Sequence, residues 1–201
     1  HGKKISPGLI HIFHNTGKLI QTLFHSLAHS IMDLPLIFHP NSDILQVECT
    51  PLSTEDIVSE KVQTMIDNMI PTMYHGQGIG LAAPQIGTTI QVCIIGKDAF
   101  PKKVMINGKK HDRSKDLILI NPVWEKTARR TYWDTEGCLS IPKIYGKVKR
   151  YKHIRIQAQN RLGEPITLDA SNFFGRVIQH EIDHLHGILF IEKGKDIYKV
   201  E

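Results

Sequence analysis

At 201 residues, with 41% hydrophobic and 22% charged side chains, the chain has the composition of one soluble globular domain with a core and is too short for two of ordinary size. No apolar run approaches the roughly 18 residues needed to cross a bilayer, and the net charge of +5 is moderate and scattered among acids, a weak argument for a membrane or nucleic-acid surface. Three cysteines, Cys49, Cys93 and Cys138, are an odd number at irregular spacing, so no disulfide framework is implied and a reducing compartment is expected.

Residues 1–34 read as an N-terminal extension. They hold five of the twelve histidines and no acid before Asp33, and fit a tag, a targeting remnant or an amphipathic segment around Leu19 to Met32. From residue 35 to 201 the signals are those of one compact domain. Ser53 or Thr54 opens a predicted helix with Glu55, Asp56 and Glu60 toward its positive end, and Val58, Val62, Met65, Ile66, Met69 and Met73 mark its buried face. Pro71 is expected to kink or loosen the last turn.

The run from Gly76 to Gly87 follows, with three glycines in its first five residues. It lacks the Lys-Ser/Thr ending of a phosphate loop, and a peptide laid along an exposed backbone edge suits it better. Strands are predicted at Ile90 to Ile95, Leu117 to Asn121 with Pro122 as terminator, Val123 to Tyr132, Val148 to Gln157 and Ile166 to Leu168, with Lys97 to Asp116 as a long solvated loop. Strands and helices do not alternate regularly, so the class is α+β.

Between these strands, Glu136-Gly137-Cys138-Leu139-Ser140 sets a cysteine beside a glycine. A thiolate there suits Zn²⁺ or Fe²⁺, while a buried inert thiol and a nucleophile served by His180 are the other two readings. The last helix carries Gln179-His180-Glu181-Ile182-Asp183-His184-Leu185, capped by Ser171 or Asn172 and ended at Gly187. At 3.6 residues per turn, His180 and His184 lie about 40° apart on one face with Glu181 beside them, so two imidazoles can share a metal while a carboxylate handles its water. His186 faces away. A catalytic metal needs a third protein ligand. Past His186 the chain offers only Glu192, Asp196 and Glu201, so the third ligand is expected upstream.

Taken together, Gly78 to Gln85, Glu136 to Ser140 and Gln179 to Leu185 resemble the three signatures of the peptide deformylases, in the family's order and without substitution, within a likeness from about Leu36 to Lys193. The resemblance implies an α+β fold of mostly antiparallel sheets packed around a central metal-binding helix, and a catalytic domain over 35–201. It implies Cys138, His180 and His184 as metal ligands with water as the fourth, Glu181 as general base, and Gln85 with the Leu139 N–H as oxyanion donors. Gly78, Ile79, Gly80, Glu136, Gly137 and Val177 are the implied substrate contacts.

The implied reaction removes formyl from N-terminal formyl-methionine of newly made polypeptides and releases formate. The implied cofactor is one divalent ion, Fe²⁺ ahead of Zn²⁺, Ni²⁺ or Co²⁺. A monomer is expected that meets the ribosome transiently and uses neither a membrane nor a specific nucleic-acid sequence, in the cytoplasm of a bacterium or in a mitochondrion or plastid of a eukaryote. The long C-terminal helix of many bacterial members has no counterpart after the metal helix. Two rival readings are a metallopeptidase that cleaves peptide bonds and a non-catalytic, metal-stabilised binding module.

Overall fold

The computed structural model describes residues 32–201, so apart from Met32 the segment around Leu19 to Met32 lies outside the described residues. The first helical region is two helices: α1 (Thr54–Ile57), capped by the Ser53 side chain, and α2 (Glu60–His75), capped by the Ser59 side chain. The single predicted helix divides because Ser59 caps a second start, which leaves Val58 at the junction 53% exposed instead of on the buried face. Helix α2 runs through Pro71 to His75, with Met69 and Met73 buried on either side of the proline.

Ten strands follow, numbered β1 (Gly80–Ala82), β2 (Val92–Ile95), β3 (Met105–Ile106), β4 (Lys109–Lys110), β5 (Leu117–Lys126), β6 (Thr131–Cys138), β7 (Ile141–Tyr151), β8 (His153–Gln159), β9 (Pro165–Ser171) and β10 (Gly194–Lys199). Between β9 and β10 come the long helix α3 (Asn172–Leu185) and the single turn α4 (Phe190–Lys193). The strands form an antiparallel five-stranded sheet in the order β1-β2-β5-β8-β9, an antiparallel three-stranded sheet β10-β7-β6, and the small hairpin β3-β4.

The strand boundaries differ from the sequence reading in several places. Val123 to Tyr132, read as one strand, is the end of β5 and the start of β6, separated by residues 127–130. Strand β5 passes Pro122 to Lys126, because the register shift between Ile120 and Val123, with Asn121 at φ 51°, takes the proline out of the ladder. The stretch read as one strand from Val148 to Gln157 is the end of β7 and the start of β8, since Lys152 turns the chain from one sheet to the other. The region 97–116, read as a solvated loop, contains the β3-β4 hairpin.

The five-stranded sheet is buried on both faces at β2 and the start of β5. Val92, Ile94, Ile118 and Ile120 meet α2 through Val62, Ile66, Met69 and Met73. Cys93, Ile95, Leu117 and Leu119, with Ile154, Ile156, Ile166 and Leu168, meet α3 through Phe174, Val177, Ile178, Ile182 and Leu185. Residues facing both ways explain why β2 and the start of β5 are apolar without alternation, whereas β8 and β9 alternate inward and outward. At roughly 1.5–3 kcal/mol for each large apolar side chain removed from water, these two layers supply the main drive for folding. Helix α3, which carries the two histidines, packs on one face of this sheet and is buried along most of its length.

Candidate metal centre

The buried polar side chains of α3 find partners, apart from Arg176 Nε, Glu181 Oε2 and His184 Nδ1. Gln179 does so by closing onto β7: its amide donates to the carbonyls of Tyr151 and Gly175 and its oxygen accepts from the Tyr151 N–H at 3.1 Å. Asp183 accepts from Arg150 Nη1 and, at 2.7 Å, from Lys193 Nζ. His180 donates from Nδ1 to Glu136 Oε2 at 2.9 Å, which fixes the tautomer and turns Nε2 the other way.

The opposite side of the centre is built by the β6-β7 hairpin. Leu139 and Ser140 form its two-residue turn, and the register shift between Gly137 and Cys138 turns the cysteine toward α3. Cys138 Sγ lies 3.2 Å from His184 Nε2. One ligand atom from each of Cys138, His180 and His184 falls within 4.8 Å of the others.

Two further side chains converge on this triad. Gln85, 2% exposed, accepts from the Ala82 N–H through Oε1 at 2.8 Å, which points its amide nitrogen to Ser140 Oγ at 3.2 Å and Cys138 Sγ at 3.5 Å. Glu181 lies under β1 at Gly80, and its Oε2 is buried without a hydrogen-bond partner. The remaining candidates, Gly78, Ile79, Gly80, Glu136, Gly137, Leu139 and Val177, line one cleft of about 550 Å³ together with Cys138, His180, Glu181 and Gln85.

The charges are held in a fixed order. Burial opposes ionisation of Glu136, but hydrogen bonds from Arg150 and His180 outweigh it and hold the carboxyl well below its ordinary range. For His180, burial disfavours the cation, yet hydrogen bonds to Cys138 and Glu136 raise its pKa to about 10. Burial first, then the charges on His180 and Arg150, press His184 well below the usual imidazole value. Burial pushes Glu181 up to about 7, with His180 opposing and Glu136 adding to the rise.

Three groups that sequence reasoning passed over complete the centre. Arg150 donates through Nε and Nη2 to Glu136 at 2.9 and 2.8 Å, and Arg176 donates through Nη1 to Glu136 Oε1 at 2.6 Å. Both carboxylate oxygens of Glu136 are therefore engaged inside the protein. Arg176 was legible as a charge one turn before His180 on a helix otherwise apolar there, and Asp183 as the acid inside the histidine motif. Arg150 was hidden among the lysines of a strand whose exposed residues are also basic.

The donor set fits a divalent cation: one thiol and two imidazoles gathered together, an ionised carboxylate turning one ring, and a buried carboxylate oxygen without a hydrogen-bond partner on a residue of the same cleft. Residues 35–200 match the family model for polypeptide deformylase. The chain belongs to the polypeptide deformylase family. Peptide deformylase 1 of Bacillus cereus is 38% identical over 167 residues, covering 83% of this chain and 95% of its own length. The enzyme of the same name from Bacillus subtilis is 36% identical over 81% of this chain and 91% of its own. Among solved structures, the class I type b peptide deformylase of Acinetobacter baumannii bound to Met-Ala-Ser has 29% identity and a TM-score of 0.70, covering 80% of this chain and 98% of that one. The Thermotoga maritima deformylase is alike, at 29% identity and a TM-score of 0.69. Membership brings together the α+β fold and the metal-dependent hydrolase class.

Proposed function

We propose that this deformylase removes the formyl group from N-terminal formyl-methionine of new polypeptides through the following division of labour. Cys138, His180 and His184 hold one divalent ion, which when bound supplies a Lewis acid and lowers the pKa of water at the site. The observation that carries this reading is the convergence of those three ligand atoms within 4.8 Å beside the unpartnered carboxylate of Glu181.

Glu181 is the proton carrier. A carboxylate whose pKa is raised toward neutrality accepts a proton from attacking water readily and returns it to the departing amine. Gln85 stabilises the charge growing on the formyl oxygen, since its own oxygen is pinned by the Ala82 N–H and its NH₂ is thereby aimed at the site before substrate arrives. The Leu139 N–H, in the turn outside the β6-β7 ladder, is the second donor. Glu136 holds the His180 ring, with Arg150 and Arg176 keeping it ionised.

The peptide runs along the Gly78-Ile79-Gly80 edge, where β1 ends its sheet and pairs on one side with β2 alone, and past Gly137 on the facing hairpin. The methionine side chain enters beside Val177 and His180. Met-Ala-Ser, the ligand of the Acinetobacter enzyme, is what formyl-Met-Ala-Ser becomes on losing its formyl group.

The resident ion is Fe²⁺, the family's implied metal; one sulfur and two nitrogens also accept Zn²⁺, Ni²⁺ and Co²⁺. The enzyme acts as a monomer of which residues 35–201 are the catalytic domain, in transient contact with the ribosome. It works wherever synthesis starts with formyl-methionine: the cytoplasm of a bacterium, or a mitochondrion or plastid. Among the described residues no helix is long and apolar enough to cross a membrane.

Anaerobically prepared protein should release stoichiometric formate from formyl-Met-Ala-Ser and leave Met-Ala-Ser intact. Release of free amino acids, or no formate from metal-replete protein, would refute the proposal.

A further inference from the structure

In the three-stranded sheet, Gly137, Tyr145 and Tyr198 occupy one row: Gly137 pairs with Tyr145 across β6 and β7, and Tyr145 pairs with Tyr198 across β7 and β10. The row begins beside the ligand Cys138 and ends on the C-terminal strand. Within it the Tyr145 ring lies over Gly137 so closely that a Cβ there would meet Cε1 at 2.7 Å and Cδ1 at 2.9 Å. Against β10 the same ring stacks on Tyr198, with centroids 5.9 Å apart and planes 26° from parallel. Tyr145 lines the cleft, and its ring is packed between Gly137 and Tyr198.

Strand β10 is built to hold Tyr198 in that position. Its register shifts between Lys195 and Tyr198, with Asp196 at φ 52°, and the bulge lays the half-exposed Ile197 side chain against Gly146 and Gly194. A Cβ on Gly146 would come within 2.2 Å of Ile197 Cδ1, and one on Gly194 within 2.8 Å, so side chains at either place would expel it. Two residues beyond Tyr198, the Val200 N–H donates to the carbonyl of Lys143, another residue of the cleft wall, at 2.9 Å. Tyr198 is thus tied down on both sides while its ring backs the one facing the cleft.

We infer that Tyr145 is a specificity-determining contact for the peptide residues after formyl-methionine, and that Tyr198 is its positioning residue. The inference rests on the reading above, in which the peptide passes Gly137. An extended chain advances about 3.4 Å per residue, so residues after the methionine leave the metal ligands along the wall that carries Tyr145. A flat aromatic face held at a fixed angle favours aromatic or large apolar side chains there, since such pairs prefer defined offset or edge geometries.

The test compares kcat/KM for formyl-Met-Phe-Phe with that for formyl-Met-Ala-Ser, using metal-loaded full-length enzyme. Formate release by the native enzyme from either peptide examines the deformylase reading; the ratio between the peptides examines this one. A ratio well above one is expected for the native enzyme. It should fall about five- to tenfold, through KM, in Tyr145→Ala and in Tyr198→Ala, and no further in the double variant. Tyr198→Phe should keep the ratio. Where alanine loosens the strand, Tyr198→Leu keeps apolar bulk without the flat face and should still lower it. A native ratio near one, a ratio unmoved by Tyr198→Ala or Tyr198→Leu, or losses that multiply in the double variant would overturn the inference.

Discussion

A Cβ placed on Gly80 would fall 2.2 Å from Oε1 of Glu181 and 2.6 Å from its Cδ, so the edge strand and the proposed base touch without room for a methyl group. Gly80→Ala therefore has to displace the Glu181 carboxylate, because β1 is held by its pairing with β2. The expected result is a loss of kcat of about a hundredfold or more, comparable to a misplacement of about 1 Å in a catalytic group. Elemental analysis should find the metal content unchanged, since the three atoms nearest that Cβ all belong to Glu181.

Glu181 carries a cost in stability that its role explains. With its pKa raised from 4.5 to about 7 by burial, the folded protein binds a proton more tightly there than the unfolded chain does. The sign is then fixed: the penalty is absent below about pH 4.5, grows as pH rises toward 7, and is complete above it. Glu181→Gln should abolish nearly all turnover and yet stabilise the metal-free protein at pH 8. At about 1.4 kcal/mol per pKa unit the gain is about 3 kcal/mol at most. Urea unfolding of metal-free native and variant protein at pH 5 and pH 8 measures it, and the gain should be larger at pH 8.

The same ionisation sets the acid side of the rate profile. The base works as a carboxylate, so kcat/KM should climb with pH and level off once Glu181 is ionised. A cation beside it favours the ionised form, so the midpoint should lie at or below about 7. A profile flat down to pH 4 would assign the acid limb, and the base, elsewhere.

Arg150 ties two parts of the centre together, since it binds both Glu136, which orients His180, and Asp183 on the helix that carries both histidines. Removing it leaves two buried carboxylates short of a partner, an arrangement that typically costs about 3–5 kcal/mol. Arg150→Met should lower stability by an amount of that order. The milder Glu136→Gln should weaken metal binding about 10–100-fold by loosening the His180 ring, read by competition with a chelator rather than by activity. Glu136, with its depressed pKa, contributes stability fully above about pH 4.5 and loses it only as pH falls through its lower folded value.

Much of this centre was legible in the sequence, for separable reasons. Histidines four apart share a face whatever surrounds the helix, so His180 and His184 required only the period of an α-helix. Cys138 emerged by matching signatures, because its approach depends on a register shift in a hairpin that no local pattern announces. The strand edges were misread where one residue changes the ladder: Asn121 with positive φ carries β5 past a proline, and Lys152 passes the chain between sheets. Strand β10 was missed because four of its six residues are polar, glycine or charged, and only its pairing with β7 makes it a strand. Arg150 and Arg176 were passed over because burial of an arginine is decided by its partners, and Glu136 lies many residues from both.

The central assertion is that one thiolate and two imidazoles drawn from two distant hairpin and helix segments grip a single ion. X-ray absorption on protein loaded with one equivalent of Zn²⁺ measures that shell directly. One sulfur at about 2.3 Å and two imidazole nitrogens at about 2.0 Å are expected, with the sulfur contribution lost in Cys138→Ser. A first shell of nitrogen and oxygen alone in the native protein would contradict it.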